Sequence, residues 1–335
     1  MPNMSIKLLL LLSFLSFIIC FIKLPGWIHR AKSRGFAGKD LHKKDGREVA
    51  EMGGIIVIFS IVLTLLVYVA FDTFYYSNHN SITEILAVVA CILIATIIGM
   101  TDDILGWRIG LRQREKVLLT LFIPVPLMVI NAGENIMTFP LIGTVDIGLL
   151  YPLLIVPIGM IGATNAFNML AGYNGLEAGM GIVILAALGI ISYSTGYAMA
   201  TLIIVITIAS LLAFLFYNQY PAKVFPGDTL TYPIGAIVAI VAIVGNMERY
   251  AVMVYFLYYI EFILKARGGL MPEWTAKILA DGSLAVRDKV YSVPHVAILL
   301  LRKIKGRAYE NEVVLVVLMF QVVIALAVLY SFYRM

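Results

Sequence analysis

Three separated stretches of the sequence place carboxylates and amides at short spacing. They are Thr101-Asp102-Asp103, the run Asn165-Ala166-Phe167-Asn168-Met169-Leu170-Ala171-Gly172-Tyr173-Asn174-Gly175-Leu176-Glu177, and Phe225-Pro226-Gly227-Asp228. On a helix Asp102 and Asp103 point about 100° apart, so one faces a given ligand while the other serves a neighbouring cation or donor. Asn165 and Asn168 are three residues apart and share a helix face. Asn174 lies between Gly172 and Gly175, where the chain can turn sharply and bring backbone N–H groups near a ligand. His29, His42, His79 and His295 are scattered, and Cys20 and Cys91 fall inside apolar stretches, so no His or Cys metal cluster and no disulfide framework competes. The remaining oxygen donors suit Mg2+, which keeps several waters and is usually held by one or two carboxylates together with substrate phosphates. With Lys and Arg nearby, such an ion is the equipment of phosphoryl transfer, which asks the protein mainly for positioning and charge neutralisation.

The same residues have plainer uses. Asp228 and Asn174, the latter with Glu177 three residues on, stand just before apolar runs and could be helix N-caps. Asn165 and Asn168 could be hydrogen-bonding glue between membrane helices. Phe225 could pack instead of stacking on a ligand, and basic loops could serve topology and anionic lipid alone. Asp102 and Asp103 at the end of a helix would oppose its macrodipole, so some other group must compensate them.

The elements that must position these groups are membrane helices. Of the 335 residues 61% are hydrophobic and 13% charged, with a mean hydropathy of +0.95, which excludes an ordinary soluble domain. The expectation is an all-α integral membrane protein, a single polytopic domain over 1–335. A hydrocarbon core of about 30 Å needs about 20 apolar residues per helix. Ten stretches approach this: 8–22, 53–71, 85–100, 117–130, 148–163, 178–193, 198–216, 232–244, 251–264 and 313–332. The first has no small-residue cleavage pattern and reads as a span, not a signal peptide. Ser81 with Glu84 has the form of a capping box before the third. On this count 22 of the 25 Lys and Arg residues fall in loops 23–52, 101–116, 165–177, 218–231 and 265–312 on one side, leaving Lys7, Arg249 and Arg334 on the other. The positive-inside rule makes the crowded side cytoplasmic and puts both termini outside. All three chemical stretches then share the cytoplasmic face, which predicts one site there. Residues 294–305, apolar and ending in Arg302, Lys303 and Lys305, predict a helix lying along the inner leaflet. No span has a charged residue at its centre, and Glu261, near a cytoplasmic end, has Lys265 four residues on as a partner, which argues against a transporter.

Several of these motifs carry a resemblance that covers most of the chain. They are Asp40-Leu41-His42-Lys43, Glu51-Met52-Gly53-Gly54, Asp102-Asp103, the run over 165–179 and Phe225-Pro226-Gly227-Asp228-Thr229. At them the sequence resembles the polyprenyl-phosphate N-acetylhexosamine-1-phosphate transferases, especially the eukaryotic and archaeal UDP-GlcNAc:dolichyl-phosphate type. The 165–179 run is the specific part; the paired Asp alone would be weak. The ten apolar stretches and the shared basic face give the expectation of about ten transmembrane helices with a cytoplasmic-face active site, and the resemblance supplies the chemistry. It implies transfer of GlcNAc-1-phosphate from UDP-GlcNAc to dolichyl or another polyprenyl phosphate with release of UMP, the first step of lipid-linked oligosaccharide synthesis for N-glycosylation. It implies Mg2+, with Mn2+ as the alternative ion, held by Asn168 and Asp228. Phe225 would stack on uracil, Asn174 would sit at the uridine, and Lys116 and Arg267 would approach the diphosphate. Asp102 and Asp103 match the family's acidic pair, as base, metal orienter or acceptor positioner. Asp40 and Glu51 match the first-loop motif and, with Asn165, fall to substrate binding. The implied partners are the UDP-sugar, the polyprenyl phosphate and membrane lipid, with no nucleic acid, and a homodimer is compatible. The location would be the cell membrane if the chain is archaeal and the endoplasmic reticulum membrane if eukaryotic. The bacterial branch has a His-rich motif in its last cytoplasmic loop, whereas this loop has His295 alone. That favours the dolichyl type over a bacterial-type transferase using another UDP-amino sugar.

Overall fold

The computed structural model describes residues 5–44, 46–75, 81–139, 143–269 and 275–334; His79 lies outside them. From the N-terminus the chain forms α1 (Ile6–Ser33), a hairpin of β1 (Ala37–Lys39) and β2 (Glu48–Ala50), α2 (Gly54–Phe74) and α3 (Ile82–Ile109). The short α4 (Gln113–Thr120) and α5 (Val125–Val129) follow, then a hairpin of β3 (Ile136–Phe139) and β4 (Gly143–Asp146). A π-helical turn at Tyr151–Ile155 leads into α6 (Val156–Met169). The rest is α7 (Leu176–Thr195), α8 (Ala198–Asn218), α9 (Asp228–Val244), α10 (Glu248–Val254), α11 (Phe256–Ala266), a hairpin of β5 (Lys277–Ile278) and β6 (Leu284–Ala285), α12 (Val293–Lys305) and α13 (Glu310–Tyr333).

Among the described residues seven helices are long and apolar enough to cross a bilayer: α1, α2, α3 as far as Gly106, the Tyr151–Met169 segment, α7, α8 and α13. Shorter at 17 residues, α9 is buried continuously from Thr229 to Ile243. A helix that is apolar all round belongs in an interior, and α9 is the central element, packed on α2, α3, α6 and α8. The chain is thus a mostly helical integral membrane protein. The two other apolar stretches are not single helices. Residues 117–130 divide into α4 and α5 at a turn before Pro124 and Pro126, which lack the N–H a continuous helix needs. Residues 251–264 divide at Tyr255 between α10 and α11.

Several boundaries differ from the sequence reading. Helix α1 has 28 residues, about 42 Å at 1.5 Å per residue, and carries Lys23, Arg30 and Lys32 past its apolar run. Helix α3 continues through Asp102 and Asp103 to Gly106, whose φ of 71° breaks it. Asn165 and Asn168 lie in the last turns of α6, not in a loop. The Ser81 hydroxyl donates to Asp72 Oδ2 at 2.8 Å and makes no cap bond, so the helix start was legible but the capping box does not form. Among the described residues three two-stranded antiparallel hairpins interrupt the all-α expectation, each within a connection between helices. Helix α12 matches the predicted 294–305 helix, with Leu299, Leu300 and Ile304 exposed beside its basic last turn.

Glycines let the neighbouring backbones close on the start of α9. A Cβ at Gly99 of α3 would lie 2.2 Å from the Asp228 carbonyl oxygen, and one at Gly54 of α2 would lie 2.4 Å from the Leu230 nitrogen. A Cβ at Gly235 would meet the Ala163 carbonyl oxygen of α6 at 2.7 Å. In lipid, where apolar burial gives no advantage to helix contact, small residues that permit such approach provide the association. The consequence is local: the first turn of α9, which begins with Asp228, is fixed from two sides.

Candidate active site

Asp228, Lys116, Asp102 and Asn168 meet at one end of the bundle. The Lys116 ammonium donates to Asp102 Oδ2 at 2.6 Å and to Asp228 Oδ2 at 3.0 Å. Asn168 Nδ2 donates to the same Asp228 oxygen at 3.3 Å, while its Oδ1 accepts from the Thr231 hydroxyl at 2.8 Å. Burial works against the Lys116 charge, but the Asp228 and Asp102 carboxylates more than offset it and hold the ammonium above its ordinary range. It is therefore charged at any working pH. An ammonium has three N–H donors and only two are committed to these carboxylates.

Asp103 has a different task. Its Oδ1 accepts the Asp228 N–H at 2.9 Å and its Oδ2 the Thr229 N–H at 3.0 Å. It caps α9 from another helix and satisfies two of the orphan donors of the first turn. Gly227 makes this possible: its φ is 70°, and a Cβ there would lie 2.4 Å from Asp103 Oδ2. This also explains why two carboxylates are stable near the end of α3. One faces a lysine and the other faces the positive end of α9. As the first residue of its helix, Asp228 leaves the N-cap position to Gly227, which removes the plain capping use of its side chain.

The first loop reaches the cluster through Glu51. A Cβ on Gly38 would lie 2.1 Å from Glu51 Oε1, so the carboxylate lies over the β1–β2 hairpin. Burial first, and then the Asp103 charge, push its pKa up. The hairpin in turn holds the segment before α9, where Phe225 N–H donates to the Ala50 carbonyl at 2.7 Å and Gly53 N–H to the Phe225 carbonyl at 2.9 Å. Phe225 is half-buried.

Two predicted residues stand apart. The Asn165 amide donates to the Thr120 hydroxyl at 3.0 Å and to the Ile161 carbonyl at 2.8 Å, tying α6 to α4. Three residues before Asn168, it sits about 4.5 Å further along the helix axis and cannot share the carboxylates. It lines instead an apolar cavity of about 600 Å3 between α4, α6, α9, α10 and α11, whose walls include Val117, Met169, Tyr255 and Phe262. Val117 and Met169 directly follow Lys116 and Asn168 in sequence, so the polar cluster and the cavity adjoin. Arg267 is exposed at the end of α11 and is not drawn into the cluster. Lys265, two residues earlier, instead pairs with the buried Glu261 at 3.3 Å and donates to the Met169 carbonyl, while Glu261 accepts from Ser292 and from the Val293 N–H at the start of α12.

Comparison with known proteins matches residues 85–246 to the glycosyl transferase family 4 profile. A protein of Saccharolobus solfataricus is 36% identical over 93% of each chain, and is provisionally named a UDP-N-acetylglucosamine–dolichyl-phosphate N-acetylglucosaminephosphotransferase. The chain belongs to glycosyl transferase family 4. A Dictyostelium discoideum member with that name outright is 27% identical, over 74% of this chain and 70% of the relative. A Halalkalibacterium halodurans relative named phospho-N-acetylmuramoyl-pentapeptide-transferase is 30% identical over 76% and 80%.

The glycosyl transferase family 4 match takes in Asp102, Asp103, Lys116, Asn168 and Asp228, but a second polar cluster draws partly on residues outside it. Asn174 is buried between α6 and α7, with Gly175 and not Asn174 at the N-cap of α7. Its Nδ2 donates to Asp40 Oδ2 at 3.0 Å and its backbone N–H to Glu310 Oε1 at 2.8 Å. Lys43 pairs with Glu310, and His42 stacks on Tyr173 with ring centroids 4.3 Å apart. Burial lowers the His42 pKa to about 4, against the pull of Asp40. Reading the sequence missed Thr231 and Glu310, and it quoted Lys43 and Tyr173 within motifs without giving either a role. Thr231 sits three residues after Asp228 on a helix and was findable; Glu310, at the head of an apolar run, reads only as a helix start.

Proposed function

We propose that this membrane protein transfers GlcNAc-1-phosphate from UDP-GlcNAc to dolichyl phosphate or a related polyprenyl phosphate, at its cytoplasmic face. The observation that carries the reading is the adjacency of the Lys116–Asp228–Asn168 cluster to the apolar cavity. Anionic phosphates and a long hydrocarbon chain need those two environments side by side. The excess of basic residues in the loops on that side favours the cytoplasmic orientation with both termini outside, and would concentrate two anionic substrates there.

Asp102 and Asp228 share a single lysine, and Asp103 stands behind the Asp228 N–H, so carboxylate charge outnumbers ammonium charge and the donor set fits a hard divalent cation. Asp228 and Asn168, whose oxygen keeps a second lone pair beside Thr231, would hold Mg2+ or Mn2+; when bound, the ion supplies charge neutralisation at the diphosphate. The third Lys116 donor binds a phosphate oxygen. An oxygen of the acceptor phosphate attacks the β-phosphorus of the UDP-sugar. The bond from that phosphorus to the bridging oxygen breaks, UMP leaves with the oxygen, and the lipid keeps the diphosphate-linked sugar. A phosphate monoester has a second pKa of about 6 and is already mostly dianionic at neutral pH, so the attack needs no strong base. That suits Asp103, whose oxygens are occupied by the backbone of α9, as a positioning residue, and Asp102 as the group that holds Lys116.

The test is to incubate purified chain with UDP-GlcNAc labelled in the sugar and with dolichyl or undecaprenyl phosphate, with Mg2+ or with EDTA. Metal-dependent label in the lipid extract, greater with dolichyl phosphate, is expected. Preference for undecaprenyl phosphate and for another UDP-amino sugar would move the chain to the bacterial type of activity. No lipid label from any such pair, in a folded preparation, would refute the reading.

A further inference from the structure

We propose that Glu310, with Lys43, is a positioning residue of the nucleotide subsite and holds Asn174 ready for the base. The proposal rests on the reading above that this end of the protein binds a UDP-sugar. Glu310 opens α13 and its side chain is buried. Its Oε1 accepts the Asn174 N–H at 2.8 Å and its Oε2 takes the Lys43 ammonium. Lys43 also lies 3.8 Å from Asp40 Oδ2 and 3.7 Å from the centroid of the Tyr220 ring. Asp40 Oδ2 in turn accepts the Asn174 side-chain amide at 3.0 Å. Asn174 is thereby gripped at its backbone by the last helix and at its side chain by the first loop.

Among the described residues the Asn174 Oδ1 has no partner. A fixed amide whose oxygen is open presents an acceptor of set direction, and the imide N–H of uracil is a donor that such an acceptor can read. The segments that converge here come from four places in the chain: the loop after α1, the turn between α6 and α7, the loop after α8 that carries both Tyr220 and Phe225, and the head of α13. The ligand atoms of Asp40, His42 and Glu310 lie within 4.8 Å of one another, as a metal site would require. Lys43 already lies against both carboxylates, and Asn174 takes an oxygen of each, so their oxygens are engaged in holding Asn174. Nor does an ion pair alone explain it, since a buried pair adds little net stability and would not need the Asn174 N–H.

Two substitutions separate the acceptor from the charge. Glu310→Gln keeps an oxygen for the Asn174 N–H and removes the charge; Glu310→Asp keeps the charge and draws the acceptor back by one methylene. KM for UDP-GlcNAc and kcat are to be measured for both, with melting temperatures to establish folding. Positioning by hydrogen bonding gives a KM raised roughly tenfold in Glu310→Asp, kcat within about threefold, and Glu310→Gln close to wild type. A role confined to charge balance gives the reverse order, and that result, or an unchanged KM in both, overturns the proposal. Asn174→Ala leaves the ion pair in place and must also raise KM; if it does not, the proposal fails even where the Glu310 variants do not fold. A wild-type chain that turns over no UDP-sugar refutes the proposed function instead, whereas wild-type activity with KM indifferent to Glu310→Asp and Asn174→Ala refutes only this role.

Discussion

At the scale of single residues, Asp102, Asp103 and Asp228 look alike in sequence and differ in what their oxygens touch. Asp228 offers its carboxylate to Lys116 and Asn168, so Asp228→Asn is expected to cut turnover at least ~100-fold, as removal of a group that organises transition-state charge does, with the melting temperature held. Near-normal activity at saturating Mg2+ would show that Asp228 is not at the reaction centre. Asp103 spends both oxygens on the backbone of α9. Asp103→Asn is expected to lower kcat while leaving the shape of the pH–rate profile unchanged, whereas a general base would take the acidic limb of the profile with it. His42 gives a stability prediction with a definite sign. Its folded pKa is about 4, below the ordinary value of about 6.5, so the unfolded chain binds the extra proton first as pH falls. Its contribution, on the order of 3 kcal/mol, is complete above pH 6.5 and is lost towards pH 4. His42→Phe, which keeps a ring against Tyr173, should flatten the fall in melting temperature between pH 6.5 and 4.5; an unchanged slope would exclude His42 as its source. The acidic pair and the amide run were legible in the sequence because residue type alone limits their chemistry. The division of labour between Asp102 and Asp103 was not, because it depends on where the N–H groups of a helix 125 residues later come to lie.

At the scale of elements, the site is a consequence of how closely α3 approaches α9. A methyl on Gly99 would lie 2.2 Å from the Asp228 carbonyl oxygen, and backbone cannot yield as the end of a flexible side chain can. Gly99→Ala is therefore expected to destabilise the protein by about 1–3 kcal/mol, the usual cost of overpacking, and to lower activity further than the stability loss explains by shifting the first turn of α9. A variant with wild-type activity and melting temperature would mean that the two helices have freedom to part. Long apolar runs made α1, α2, α7, α8 and α13 readable, and the residues of α9 were found as well. Residues 117–130 and 251–264 misled because hydropathy counts side chains and takes no account of the breaks at Pro124 and Tyr255. Asn165 illustrates the same limit within one helix. It shares a face with Asn168, yet a displacement of less than one turn puts it against Thr120 and the apolar cavity.

At the scale of the whole molecule, the distribution of Lys and Arg predicts an orientation that labelling can test. In a chain with Cys20→Ala and Cys91→Ala, a thiol introduced by Arg114→Cys should react with a membrane-impermeant reagent only when the cytoplasmic side is open, and one introduced by Ser194→Cys should react from outside. The opposite pattern would place the site on the other face. The measurement that bears most directly on the proposed reaction follows the phosphorus. UDP-GlcNAc labelled with 32P in its β-phosphate is incubated with the purified chain, Mg2+ and dolichyl phosphate, and the lipid extract and released nucleotide are counted together. Transfer of the sugar-1-phosphate requires the label to enter the lipid with one UMP formed for each. Label remaining in the aqueous phase as UDP, with sugar but no phosphorus in the lipid, would contradict it.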